Sequence, residues 1–262
     1  YEIDFRPESL GGKGAYHAMM IGTTGSGKSI FMQSLVLAAA HRYSPRDINF
    51  MFMDFKAGAA ELKKVSEIPH SVGMVTDLSP KLADRALQAL ENELSRRKQI
   101  FDNAGNITDI WDFNRRFPDQ RIPHLIVMID EFAEGKRILP NLVERLKELG
   151  RQGRAFGMYF FLANQEVNSE VEALKANISW YILLKVNRQD EVNFIERRLQ
   201  IPPGRGRGYI KVKSDVISVQ GAYAGLPANV GDQDGPEVTE FLISTFGPEG
   251  QKIGRASCRE RV

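Results

Sequence analysis

Cysteine is almost missing from this chain: the only one is Cys258, close to the end. Disulfides, thiol catalysis and cysteine-based metal sites are therefore excluded from its body. The four histidines, His17, His41, His70 and His124, are scattered without metal-ligand spacing, so no histidine metal centre is expected. No apolar run approaches the roughly 20 residues of a membrane helix. The opening Tyr1-Glu2-Ile3-Asp4-Phe5-Arg6 also lacks the basic start and apolar middle of a secretory signal. The segment reads as soluble and cytoplasmic. Its start at Tyr1 rather than Met reads as a fragment, compatible with a membrane anchor elsewhere in a parent protein.

Net charge is scarce as well, at a formal +2. The last ten residues, Ile253 to Val262, hold three Arg and one Glu, which is the same +2. They resemble the translation of a sequencing adapter and are expected to lie outside the natural protein. The body is then neutral, which works against a nucleic-acid partner, because such proteins gain affinity by neutralising phosphates with Lys and Arg. Core-forming material is plentiful. With 42% hydrophobic residues, 262 residues suffice for one large α/β domain.

Gly22-Thr23-Thr24-Gly25-Ser26-Gly27-Lys28-Ser29 matches every fixed position of the phosphate-loop pattern G-x-x-x-x-G-K-[ST]. The apolar run Ala18 to Ile21 leads in and a helix-like run, Ile30 to Ala40, leads out, which is the strand, loop, helix context the motif requires. Glycines let backbone N–H groups turn inward around phosphates, and the helix start adds its positive end. Lys28 is placed to neutralise β/γ-phosphate charge and Ser29 to bind Mg²⁺, so the cofactors expected are ATP and Mg²⁺.

Ile48 to Asp54 reads as a second buried strand, and strand, helix, strand opens a parallel sheet. The loop after it, Phe55 to Ala59, borders the nucleotide, with Lys56 either solvated or facing a neighbouring subunit. Leu125-Ile126-Val127-Met128-Ile129-Asp130-Glu131 is another buried strand ending in two acids, about 100 residues beyond the phosphate loop. Asp130 is placed to hold Mg²⁺ through water, and Glu131 to orient or deprotonate the attacking water. The strand Met158 to Ala163 ends at Asn164-Gln165, where Gln165 suits a sensor of the γ-phosphate.

The remaining pattern is architectural. Val72 to Thr76 reads as a short strand, and Ser79-Pro80 opens a long helix with Leu82, Ala86, Leu90, Leu94 and Phe101 at helical spacing. A short helix carries Ile107, Ile110, Trp111 and Phe113, with Trp111 expected as a core anchor. Pro140 to Leu149 reads as a helix, Gly150 to Arg154 as a flexible basic turn, Ile178 to Val186 as a strand and Gln189 to Leu199 as a helix. Tyr209 to Val212 and Val216 to Gly221 form a hairpin, and Glu237 to Phe246 reads as a closing helix. Arg205-Gly-Arg-Gly208 could bind phosphates, but is expected to be a structural entry to the hairpin.

Taken together, His17 to Ser29, Asp54-Phe55-Lys56-Ala57-Gly58, Glu93-Leu-Ser-Arg96-Arg97, Ile129-Asp130-Glu131-Phe132 and Gly150 to Gly157 resemble the FtsK/SpoIIIE ATPases. Within these the chain is most similar to the type VII secretion modules called EccC or EssC. The resemblance covers roughly Tyr16 to Tyr223. It implies an α/β, RecA-like P-loop fold: a mainly parallel central sheet flanked by helices, with a C-terminal β-hairpin. It also implies ring or stacked oligomers, or tandem modules, with ATP between protomers. An arginine finger follows from that arrangement, worth roughly 10³ to 10⁵ in rate; Arg85 stands at the matching place, with Arg97 and Arg154 as further candidates. Ala57 replaces a usual glycine and Asn164 a usual Thr or Ser, which leaves the phosphate contacts intact.

The expected division is 1–15 as an edge segment or linker, 16–250 as the ATPase domain and 253–262 as the adapter-derived tail. The leading function is an ATP-hydrolysing motor acting on a secreted protein or on components of the export machine. The alternatives are a double-stranded DNA translocase and a regulatory module that binds ATP but hardly turns it over.

Overall fold

The computed structural model describes residues 2–55, 60–76, 79–105, 107–223 and 242–244. In chain order the elements begin with β1 (Glu2–Asp4), β2 (Ala18–Ile21), α1 (Lys28–Arg42), β3 (Ile48–Asp54), α2 (Ala60–Val65) and β4 (Ser71–Val75). There follow α3 (Pro80–Ala104), α4 (Ile110–Arg116), β5 (His124–Asp130), α5 (Phe132–Ile138), α6 (Leu142–Gly153) and β6 (Met158–Asn164). The last are α7 (Ser169–Leu174), β7 (Trp180–Leu183), α8 (Gln189–Ile195), β8 (Arg207–Val212), β9 (Asp215–Gln220) and β10 (Leu242–Ser244).

Eight strands form one sheet in the order β4-β3-β5-β6-β2-β7-β8-β9. All neighbours from β4 to β7 pair in parallel, and β8 and β9 add the expected hairpin antiparallel to β7. Helices cover both faces, as a parallel sheet buried on both sides requires. Side chains along β2 and β5 alternate between two cores. Ala18, Met20, Ile126 and Met128 pack toward α1, whereas Met19, Ile21, Val127 and Ile129 pack toward α3 and α6. This is the RecA-like arrangement, in which β6 separates the strand leading into the phosphate loop from the strand that ends in the acids.

Several elements differ from the sequence expectation. Gly150 to Gly153 continue α6 rather than forming a flexible turn, and Arg154–Phe156 adds a 3₁₀ turn. The glycines there allow close approach: a Cβ on Gly153 would lie 3.1 Å from Met158 Cβ and 3.3 Å from Met158 O. In α3 the expected N-cap holds, with Ser79 Oγ accepting from Leu82 N. Leu82 itself is exposed, however, and Ala83 and Leu87 take the core positions. Helix α5 has no counterpart among the sequence expectations, because Phe132 to Ile138 has no clear apolar stripe. The strand at 178–186 and the helix at 189–199 are shorter than expected. Leu242 to Ser244 is a strand paired in parallel with β1, not part of a helix; the rest of Glu237 to Phe246 lies outside the described residues. The tail 253–262 and the Lys56 to Ala59 loop also lie outside them.

Candidate functional site

The carboxyl ends of the parallel strands bring the motifs together, the usual place for a ligand in an open α/β sheet. Gly22 N donates to Asn164 O at 3.2 Å, and Thr23 N donates to Lys185 O at 2.9 Å. The phosphate loop is thereby pinned to the ends of both strands that flank β2. Gly27, with φ +104°, makes the last turn into α1, a conformation a side chain would strain.

Lys28 is buried, and its Nζ donates to Gly22 O at 2.8 Å and lies 3.5 Å from Glu131 Oε1. Ser29 Oγ donates to Asp130 Oδ2 at 3.4 Å. Asp130 Oδ1 accepts from Glu131 N at 3.0 Å. Glu131 adopts φ +53° at the start of α5, left-handed backbone that is uncommon for a residue with a side chain. Gln165 Oε1 accepts from Thr24 Oγ1 at 2.9 Å, so the amide beyond β6 touches the phosphate loop directly.

Asp54 escaped the sequence reading as a site residue. It ends β3, is buried, and stands directly opposite Asp130 in the β3–β5 register. The signal was available: like Asp130, it is an acid closing a buried apolar run. Burial, reinforced by Glu131 and Asp54 and opposed by Lys28, raises the Asp130 carboxyl to about 6. A carboxylate cluster of this kind is stabilised by an added cation.

Among the described residues no group of three or more acids or histidines is arranged to hold a metal by itself. Mg²⁺ is usually bound by one or two protein oxygens together with substrate phosphates and water. Ser29 Oγ and the Asp130 carboxylate are an adequate pair for it.

A cleft of about 1260 Å³ opens over Thr23 to Ser26, bordered by Glu131, Gln165, Lys185 and Arg205. Arg85 does not line it; it is exposed on α3. Arg97 is no surface group: it is buried, donating to Glu93 Oε1 and to the carbonyls of Phe156 and Pro123 at 2.7–2.9 Å. This corrects its candidacy as a finger. Arg154 is exposed, 6.0 Å from the centre of the Tyr16 ring.

A phosphate loop on one strand, a buried acid pair two strands away and a polar amide on the strand between define a RecA-like P-loop nucleotide-binding module. The chain belongs to the FtsK/SpoIIIE family, whose model matches residues 6–169. It is 33% identical over 234 residues to the ESX-5 secretion system protein EccC5 of Mycobacterium tuberculosis, a match covering 84% of this chain and 17% of the relative. It is 31% identical over 246 residues to the type VII secretion system protein EssC of Staphylococcus aureus, covering 88% of this chain and 16% of the relative. The cytoplasmic domain of the Thermomonospora curvata type VII secretion ATPase EccC superposes with a TM-score of 0.75 at 30% identity, over 81% of this chain and 26% of that one. The conjugation coupling protein TcpA, at 22% identity and a TM-score of 0.61 over 80% of this chain and 60% of that one, shares the fold. The chain thus spans less than a fifth of the length of these curated relatives. No helix among the described residues is long and apolar enough to cross a membrane.

Proposed function

We propose that this chain is an ATP-binding and ATP-hydrolysing motor module that powers type VII-like protein export. The observation that carries the reading is the buried contact of Lys28 with Glu131 beside the Ser29–Asp130 pair, at the mouth of a complete phosphate loop. Gly22 to Ser29 cradle the phosphates, and Lys28 offsets their charge. Ser29 and Asp130 would hold Mg²⁺, which would neutralise charge developing on the phosphoryl oxygens. Glu131 orients the attacking water and takes its proton, and Gln165 reports the γ-phosphate through Thr24. The likeness to secretion ATPases of two bacterial genera supports export over DNA translocation, and so does the neutral charge of residues 1–252.

The exposure of Arg85, away from its own cleft, supports a site completed by a neighbouring protomer or tandem module. The division into 1–15, 16–250 and a foreign tail is part of the same proposal, with a parent protein anchored at the inner face of a membrane. The test is phosphate release by the wild type and Glu131→Gln, each with and without duplex DNA. Turnover that Glu131→Gln abolishes and DNA leaves unchanged is expected. Near-normal turnover in the variant would overturn the catalytic assignment, and salt-sensitive stimulation by DNA would replace export with translocation.

A further inference from the structure

We infer that Arg205, on the lead-in to the β8–β9 hairpin, binds the α/β-phosphate portion of the nucleotide from within the same chain; this rests on the nucleotide-binding reading above. The lead-in is docked on the phosphate loop itself. Gly206 N donates to Ser26 O at 2.8 Å, and Gly206 O accepts from Gly221 N at 2.8 Å. Gly206 is therefore clamped between the loop and the far end of the hairpin. The position a Cβ would take on Gly27 lies 3.3 Å from Gly206 N and 3.9 Å from Arg205 Cγ. Pro202, three residues upstream of Arg205, is buried.

The backbone immediately after Arg205 is thus held against Ser26 and Gly27, while the Arg205 side chain is exposed and lines the cleft with Thr23 to Ser26. Among the described residues it has no ion-pair partner. The neighbouring Arg207 is engaged with Gln220 Oε1, and Lys28 with Glu131.

Backbone N–H groups of a phosphate loop cradle the α/β-phosphates, whereas Thr24 meets Gln165, which follows β6 on the opposite side of β2 from β8. An Arg beside Ser26 and Gly27 accordingly adds binding that ADP and ATP share. Such uniform binding lowers KM without raising kcat.

The experiment measures fluorescent ADP and ATP binding, over a range of salt, and steady-state hydrolysis for the wild type, Arg205→Ala, Arg205→Lys and Lys28→Ala. Arg205→Ala is expected to weaken both nucleotides about tenfold, the worth of one charge-assisted hydrogen bond, with kcat within about twofold. Arg205→Lys should recover part of the affinity, and Arg205→Ala should show a shallower salt dependence. Wild-type affinity in Arg205→Ala, alongside lost binding in Lys28→Ala, overturns the role of Arg205 and leaves the phosphate-loop reading standing. A fall in kcat with unchanged affinity overturns it equally. Failure of the wild type to bind either nucleotide removes both readings together.

Discussion

Lys28 Nζ stands 3.5 Å from Glu131 Oε1, with both side chains almost fully buried. The cation that the phosphates require is thus already engaged by the carboxylate proposed to act on water. Phosphates entering the loop compete with Glu131 for Lys28 and are repelled by it. Glu131→Gln is therefore expected to keep or tighten ATP binding while lowering turnover by at least about 10²-fold, the lower range for loss of a general base. Nucleotide titration and single-turnover hydrolysis check the two halves separately.

Gln165 is expected to act after binding. Gln165→Ala removes the acceptor for Thr24 Oγ1 and any contact to the γ-phosphate. Its kcat should fall about tenfold, roughly the 1.4 kcal/mol of a lost polar contact, with KM nearly unchanged. A rise in KM at constant kcat would make Gln165 a binding residue instead.

Arg97 and Arg85 lie on the same helix and should behave oppositely. Arg97→Leu leaves the Phe156 and Pro123 carbonyls without their buried donor and Glu93 with Arg96 alone, at an expected cost of about 2–4 kcal/mol in denaturant unfolding. Arg85→Ala should leave stability unchanged, because its side chain is exposed. It should lower turnover only at concentrations where protomers associate. A loss of activity in dilute monomer would count against a role across an interface.

Gly153→Ala opposes two rules. Helix propensity favours Ala by about 1 kcal/mol. The added methyl, however, meets Met158 Cβ at 3.1 Å and the Met158 carbonyl, part of a central strand, at 3.3 Å. Net destabilisation of about 1–2 kcal/mol is expected from overpacking. Stabilisation in urea melts would show that α6 can shift.

Acid should destabilise the fold through its histidines. Burial lowers His17 from 6.5 to about 4, and burial with nearby Arg97 and Arg121 lowers His124 well below its ordinary value. His17 Nδ1 accepts from Phe160 N and its Nε2 meets Gly150 O at 2.9 Å, which requires the neutral ring with the proton on Nε2. A depressed base gives stability that is full above 6.5 and lost as pH falls toward about 4. At about 1.4 kcal/mol per pH unit, the loss for His17 reaches about 3 kcal/mol. Asp130, raised from 3.8 to about 6, has the opposite sign: its contribution is full below 3.8 and lost as pH rises through about 6. In thermal melts from about pH 7.5 to 4.5, His17→Gln should flatten the decline and Glu131→Gln, which relieves the pressure on Asp130, should steepen it. Parallel slopes in all three proteins would refute both assignments.

The sequence by itself determined the local chemistry: the phosphate loop, the acids ending a buried strand, the Ser79 cap and the β8–β9 hairpin. Each is written in consecutive residues whose spacing matches one backbone geometry. Only the tertiary structure decided what depends on contacts between distant segments. It placed β6 between β2 and β5, set Asp54 opposite Asp130, buried Arg97 against the Phe156 and Pro123 carbonyls and packed Gly150 and Gly153 within a helix. It also laid Gly206 against Ser26, about 180 residues apart in the chain. Burial and register are properties of the assembled sheet, and a charged or glycine-rich run reads the same whether it meets solvent or another strand.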